Sequence, residues 1–208
     1  MFYDPRVDPK PAPLTHNPFN ALVAPRPIGW IATVDTQGRP NLAPFSYFNG
    51  LSADPPLIGF APNALEAGPD GRCKDTLSNL REVPELTANV VSAHLARAMN
   101  ETSRALPPGE SEFDAAGLTA VPARWVRAPR VGEALACMEC EVFDIIRLPA
   151  KPQGRVSHLV LAAVVGIHID DHLIRDGRVD SLALAQVARL GYFDYSIVRE
   201  TFELPRPE

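Results

Sequence analysis

Residues 25–62 read PRPIGWIATVDTQGRPNLAPFSYFNGLSADPPLIGFAP, and this stretch decides the fold. Residues 28–34 are apolar and partly β-branched, and they halt at Asp35, Thr36, Gln37 and Gly38, where Asp favours a turn and Gly accepts a positive φ. That pattern predicts a hairpin. The returning strand, residues 41–48, contains Pro44, which has no N–H to give to a ladder, so it belongs at an edge or carries a bulge. A third strand over 57–61 follows the stiff corner Asp54, Pro55, Pro56.

The polarity of residues 44–52 is unusual for a strand that only fills a core. Ser46, Asn49 and Ser52 sit among Phe45, Tyr47 and Phe48. Aromatic and apolar walls suit the faces of a flat heteroaromatic ligand, while hydroxyls, an amide and strand-end N–H groups suit its polar edge. A β-meander whose polar residues make Asx and Ser turns accounts for the same residues equally well.

Composition narrows the classes. With 208 residues and 46% hydrophobic content the chain can bury one core or two small ones. The net charge of −5, with 20 basic and 25 acidic residues spread along the sequence, leaves no basic stripe for nucleic acid. The first residues, MFYDPRVDPKPAPL, lack the basic and apolar regions of a secretion signal, and no apolar run reaches the ~18 residues of a membrane span. The expected location is the cytoplasm, with no membrane partner. Three cysteines do not make a disulfide framework. Cys137 and Cys140 have CxxC spacing, but they run into an apparent strand rather than opening a helix, and zinc needs two further ligands. No metal is expected.

Residues 1–20 are proline-rich and read as an extended arm. Leu77, Leu80 and Val83 recur at helical spacing and stop before Pro84, with Asp75 or Thr76 as the N-cap. The free N–H groups of that helix start form an anion site that Arg72, Lys74 and the Thr76 hydroxyl complete, or else they belong to a capped surface helix. Further along, the pattern predicts a strand over 86–92, a helix over 93–106 and a short helix over 112–118. Two long strands follow, over 140–148 and 159–170, the second bent at Gly166. A last helix over 181–190 stops at Gly191, which leaves Arg189 either to complement the helix end or to meet a planar or anionic ligand. So many strands point to a closed antiparallel barrel with added helices. GxGxxG, Walker and GxSxG motifs are missing from the sequence.

Six blocks in order, PRPIGWIATVD, NLAPFSYFNGLSADPPLIGF, KDTLSNLREVPELTANVVS, SEFDAAGLT, HLVLAAVVGIHID and VDSLALAQVARLGYFDYS, carry a resemblance that covers about residues 24–198. Together they resemble the flavin reductase-like, FMN-binding split-barrel family, which includes flavoredoxin. The resemblance implies a mainly β fold with added helices: a six-stranded antiparallel Greek-key split barrel occupying 21–208 as one domain after the arm. It also implies a homodimer that holds FMN without covalent attachment near the subunit interface. Ser46, Tyr47, Phe48 and Asn49 then line the ring or ribityl chain with Ser52 nearby, Lys74, Asp75 and Thr76 form the phosphate block, and Arg189 lies near the flavin or the interface. Tyr192 replaces a second Gly common in the family and narrows access. His158 aligns with a position where related reductases carry a histidine near the cofactor, and it reads equally as a strand-end histidine. The implied function is an NAD(P)H-dependent oxidoreductase that passes a hydride from NADH or NADPH through FMN to flavin or a small acceptor, with no protein group named as acid, base or nucleophile. The alternative is a flavoredoxin-like electron carrier that receives electrons from a protein partner. A third possibility is a module that binds another ligand in place of flavin.

Overall fold

The computed structural model describes residues 1–7, 10–62, 75–107, 110–150 and 156–207. Its frame is one antiparallel sheet of seven strands: β1 (Gly29–Val34), β2 (Pro40–Phe45), β3 (Phe48–Ala53), β4 (Pro56–Phe60), β5 (Glu85–Val90), β6 (Ala136–Arg147) and β7 (His158–Ile169). The order across the sheet is β2-β1-β5-β6-β7-β4-β3. The two outermost strands, β2 and β3, are therefore consecutive in sequence and joined only through Ser46 and Tyr47. The sheet curls until its ends meet: the Phe45 ring of β2 lies 5.2 Å from the Phe60 ring of β4. Every strand contributes to one interior cluster, which includes Ile31, Phe45, Ile58, Phe60, Ala88, Cys140 and Val160, with Phe48 packed against it. This is a mainly β split barrel, the fold class expected, with seven strands in the ladder rather than six.

The predicted hairpin forms between β1 and β2, from Val34 opposite Pro40 to Gly29 opposite Phe45. The Asp35 carboxylate accepts the N–H groups of Gln37 and Arg39, each at 2.9 Å, and Gly38 takes φ +79°. β1 is buried throughout because its two faces meet different partners. Ile31 points into the barrel, whereas Trp30 and Ala32 join Leu42, Leu95, Met99, Phe113 and Val187 in a second core outside it. Each such buried aliphatic or aromatic side chain contributes about 1.5–3 kcal/mol. The predicted amphipathic helix is present as α1 (Asp75–Glu82), with Thr76, Leu77, Asn79 and Leu80 on its buried face. The long strand β7 bends as expected, with a ladder irregularity between Val164 and Gly166.

Three local expectations are corrected. The run 41–48 is two elements, since β2 ends at Phe45 and Phe48 opens β3, which pairs with β4. β3 has no buried residue, Phe48 being half-buried and the other five exposed, so no alternation of burial marks it as a strand. The helix over 93–106 is a 3₁₀ turn, Ala93–Leu95, followed by α2 (Ala96–Glu101). It closes where the Thr102 hydroxyl donates to the Met99 carbonyl and accepts the Trp30 indole N–H at 2.9 Å. The helix over 181–190 shrinks to the turn Ser181–Leu184, ended by Ala185 at φ +46°. Val187–Arg189 is a strand, β8, lying between Arg26–Pro27 and β9 (Tyr195–Ile197). Packing decided this, because the helical turn buries no residue whereas Val187 is buried in the outer core.

Candidate functional site

β8 brings together residues far apart in sequence. Arg26 stands opposite Arg189 in the ladder, and both line a cavity of about 380 Å³ together with Asn20, Pro44, Ser46 and Tyr195. Arg26 is 8% exposed. Its Nη atoms donate to the carbonyls of Asn20, Val23 and Leu190, and it stacks 5.8 Å from the Tyr47 ring. Its Nε is buried without a hydrogen-bond partner among the described residues. The Arg189 guanidinium lies 4.4 Å from the Tyr195 ring centroid and donates to the Tyr192 carbonyl. Tyr192 holds φ +57°, a left-handed conformation that costs a residue with a Cβ about 1–2 kcal/mol. Such strain concentrates where a backbone is held for a purpose.

A second polar assembly lies beneath the start of α1. The Thr76 hydroxyl donates to Asn41 Oδ1 at 2.8 Å, and Asn41 Nδ2 donates to Glu112 Oε1 at 3.2 Å. The Leu42 N–H donates to Glu112 Oε2 at 3.1 Å, while Asn79 Nδ2 reaches Thr33 Oγ1 at 3.0 Å. All five side chains, Thr33, Asn41, Thr76, Asn79 and Glu112, are buried. Burial raises the Glu112 carboxyl above the ordinary glutamate range, against the opposing pull of the Leu42 and Asn41 hydrogen bonds and with a further push from the Asp75 charge. These bonds fix the first turn of α1 against β1 and β2.

A second buried carboxylate, Glu139 on β6, accepts the Arg124 and Trp125 N–H groups at 2.8 and 2.6 Å and pairs with His168 Nε2. Burial works to raise its pKa, but these hydrogen bonds and the His168 charge hold it below the ordinary range. The arrangement pins the segment carrying Trp125 to the barrel wall. Cys137 and Cys140 are buried on opposite faces of the same strand. Burial pushes the Cys137 thiol up to about 12 and raises Cys140 as well, which removes the thiolate that redox or metal chemistry requires. The described residues hold no group of His, Cys, Asp and Glu that would bind a metal ion, and none of their helices is long and apolar enough to cross a membrane.

The expected site residues divide among these places. Ser46 and Arg189 meet in the cavity. Tyr47 stands beside it, with its hydroxyl donating to Asn20 at 2.7 Å. Phe48 packs inward over Gly29, where an added Cβ would come within 2.4 Å of its ring. Asn49 and Ser52 are exposed on edge strand β3, and Asn49 Oδ1 accepts the Gly50 N–H. Asp75 is exposed at the head of α1, whereas Thr76 is 1% exposed with its hydroxyl directed to Asn41. Lys74 lies outside the described residues. His158 is buried, with Nε2 3.3 Å from the Arg81 guanidinium. β2 joins the two regions, since Asn41 near its start touches Thr76 and Ser46 follows its end, five residues on and about 17 Å away at strand rise.

The model of the flavin reductase-like domain matches residues 22–195 of the chain. The chain belongs to the flavin reductase-like family. An uncharacterized protein of Halalkalibacterium halodurans is 40% identical over 185 residues, 89% of this chain and 87% of the relative. Among solved structures, the nitrilotriacetate monooxygenase component B of Bacillus cereus is 32% identical, with a TM-score of 0.86 over 98% of both chains. The 2-nitrobenzoate 2-nitroreductase NbaA of Pseudomonas fluorescens is 27% identical, with a TM-score of 0.77 over 91% of this chain and 88% of its own. Within this flavin reductase-like chain, Arg26, Asn41, Glu112 and Glu139 are structural anchors that sequence reasoning passed over. Arg26, Asn41 and Glu112 do stand in three of the matching blocks, PRPIGWIATVD, NLAPFSYFNGLSADPPLIGF and SEFDAAGLT. Their partners are mostly backbone groups contributed by other elements, which leave no pattern in the chain.

Proposed function

We propose that this protein binds FMN without covalent attachment and serves as an NAD(P)H-dependent oxidoreductase that reduces flavin or a small acceptor. Family membership supports an FMN-binding oxidoreductase, and the nicotinamide dependence is the proposal. The observation that carries it is the cavity where Ser46, Arg26 and Arg189 meet, because two guanidiniums with no lining carboxylate among the described residues suit a ring that gains negative charge on reduction. Ser46, Tyr47 and Asn49 are assigned to the ring and ribityl chain, with Ser52 and Phe48 nearby. Asp75, Thr76 and Lys74 are assigned to the phosphate. For Thr76 the backbone N–H at the helix start is the available donor, since its hydroxyl proton goes to Asn41. Bound flavin supplies the hydride and electron chemistry, and the protein holds it, excludes water and furnishes donors and cations at its polar edge.

A homodimer with the flavin near its interface belongs to the same proposal. Leu51, Phe143, Val165 and Ile167 leave apolar surface exposed on β3, β6 and β7, the kind of patch that association covers. Light scattering on the purified protein gives a dimer mass if this is right. The decisive experiment is the absorbance of the purified protein between 350 and 500 nm, roughly the range of the flavin bands, followed by anaerobic addition of NADH and then NADPH. Yellow protein that bleaches supports the enzyme, and yellow protein inert to both supports the carrier. Colourless protein that does not take up added FMN refutes both. Lys74→Ala is expected to weaken FMN retention by about 1.5–3 kcal/mol, the value of one charge-assisted contact, and unchanged retention would move the phosphate elsewhere.

A further inference from the structure

Residues 16–23 run along one side of the cavity where Ser46 and Arg189 meet, and Asn20 belongs to its lining. Their one helical turn, Phe19–Leu22, buries no residue, and the Phe19 and Leu22 side chains stand exposed. A segment with so little apolar burial opens at low cost, and its place is set by a few edge contacts. The Tyr47 hydroxyl donates to Asn20 Oδ1 at 2.7 Å, which ties the turn to the link between β2 and β3. Ala21 packs so closely on Gly191 that a Cβ there would come within 2.7 Å of the Ala21 methyl, and the His16 ring meets the Tyr192 ring edge-on at 5.2 Å. At the far end the buried Arg26 guanidinium donates to the carbonyls of Asn20 and Val23 and, from the neighbouring loop, Leu190. The segment therefore touches both walls of the cavity, the 46–47 link on one side and the 190–192 loop on the other. The Tyr192 carbonyl in turn accepts from Arg189, so the contact of His16 with Tyr192 bears on where that guanidinium stands.

We propose that residues 16–22 are a strap across the flavin cavity and that Asn20 is the positioning residue that latches it, so that the occupant enters and leaves when the Asn20 to Tyr47 hydrogen bond parts. Arg26 is the anchor about which the strap swings. Its bonds to carbonyls are charge-assisted and buried, whereas the latch is one neutral hydrogen bond at an exposed side chain. The latch is thus the weaker of the two attachments. The inference concerns how the proposed flavin site opens, and it rests on the flavin reading only for the identity of the occupant.

The test is the rate at which chymotrypsin cuts the full-length protein after Phe19 and Leu22, read by mass spectrometry, since cleavage within a folded segment tracks the population of its open form. Tyr47→Phe removes the latching hydroxyl and leaves both cleavage sites unaltered. In flavin-free protein it is expected to speed these cuts about fivefold, the factor for one neutral hydrogen bond. FMN well above its dissociation constant is expected to slow them more than about tenfold in the wild type. Release of FMN on dilution, followed by the fluorescence of the freed flavin, is expected to be about fivefold faster in Asn20→Ala. Tyr47→Phe should speed that release less in the Asn20→Ala background than in the wild type, because the latch is already broken. A Tyr47→Phe protein cut at the wild-type rate, bound FMN that gives the wild type no protection, or additive effects of the two substitutions on release overturns the proposal. The protection by FMN needs no variant, so it decides even if a substituted protein does not fold. Protein that takes up no FMN removes the flavin reading, and the effect of Tyr47→Phe on cleavage alone then decides the strap. Protein that takes up FMN while Tyr47→Phe is cut at the wild-type rate keeps the flavin reading and removes the strap.

Discussion

Glu112→Gln tests whether the polar assembly under α1 is held by a charge or merely by shape. In the native protein the two carboxylate oxygens accept from different donors, the Leu42 N–H at 3.1 Å and Asn41 Nδ2 at 3.2 Å. A glutamine fills the same space but keeps only one acceptor, so its amide NH₂ faces one of those donors. One buried donor is left unsatisfied, at about 1–3 kcal/mol. For a chain of this length each kcal/mol moves the melting temperature by about 2–4 °C, which gives a fall of about 2–12 °C at neutral pH. The pH dependence has a definite sign. Because burial raises the native Glu112 pKa, the folded protein takes up this proton more readily than the unfolded chain, and the wild type gains stability as pH falls through that raised value toward the ordinary one. Glutamine does not titrate, so the gap between the two proteins widens on acidification. Thermal melts of both proteins between pH 8 and pH 4 read this directly. A variant that melts as high as the wild type, or a gap that narrows toward low pH, refutes the reasoning.

Glu139→Gln should show the opposite pH trend. Its native pKa is lowered, so the stability it provides is present above the ordinary glutamate value and lost as pH falls through the lowered one. The variant should be less stable by about 1.5–3 kcal/mol at neutral pH and converge on the wild type in acid, with Trp125 fluorescence reporting release of its segment. Gly29→Ala should destabilise by about 1–3 kcal/mol through overpacking, because the new methyl meets the Phe48 ring at 2.4 Å; a denaturation midpoint equal to that of the wild type would mean that the ring moves aside freely.

Much of the architecture was legible because it rests on local chemistry. Asp35 and Gly38 announce their hairpin through the hydrogen bonds and the φ they make, and α1 shows its buried face in the spacing of Leu77 and Leu80. β3 was obscured because every residue after Phe48 meets solvent, Asn49 and Ser52 among them, so no alternation of apolar and polar positions marks it. β8 was read as helix because Val187 becomes a strand residue only once Arg26–Pro27 and Tyr195–Ile197 flank it. At the candidate site, Ser46 and Arg189 were nameable from residue type and family pattern, and their meeting in one cavity came from the ladder between Arg26 and Arg189. Glu112 and Asn41 were invisible for a similar reason: they lie 71 positions apart and acquire a role only through contact.

The joint between β2 and β3 has a dynamic consequence. Parting any other neighbours in the ladder breaks a row of backbone hydrogen bonds, whereas those two strands share no rung of it among the described residues. The barrel is therefore a rolled page whose margins touch without glue, restrained by the Phe45 and Phe60 rings and by the two-residue link at Ser46 and Tyr47. Its least expensive excursion is a small unrolling there, and deuterium should enter the amides along that margin well before those of β5, β6 and β7. Ser46, which lines the cavity, lies on the hinge of that motion.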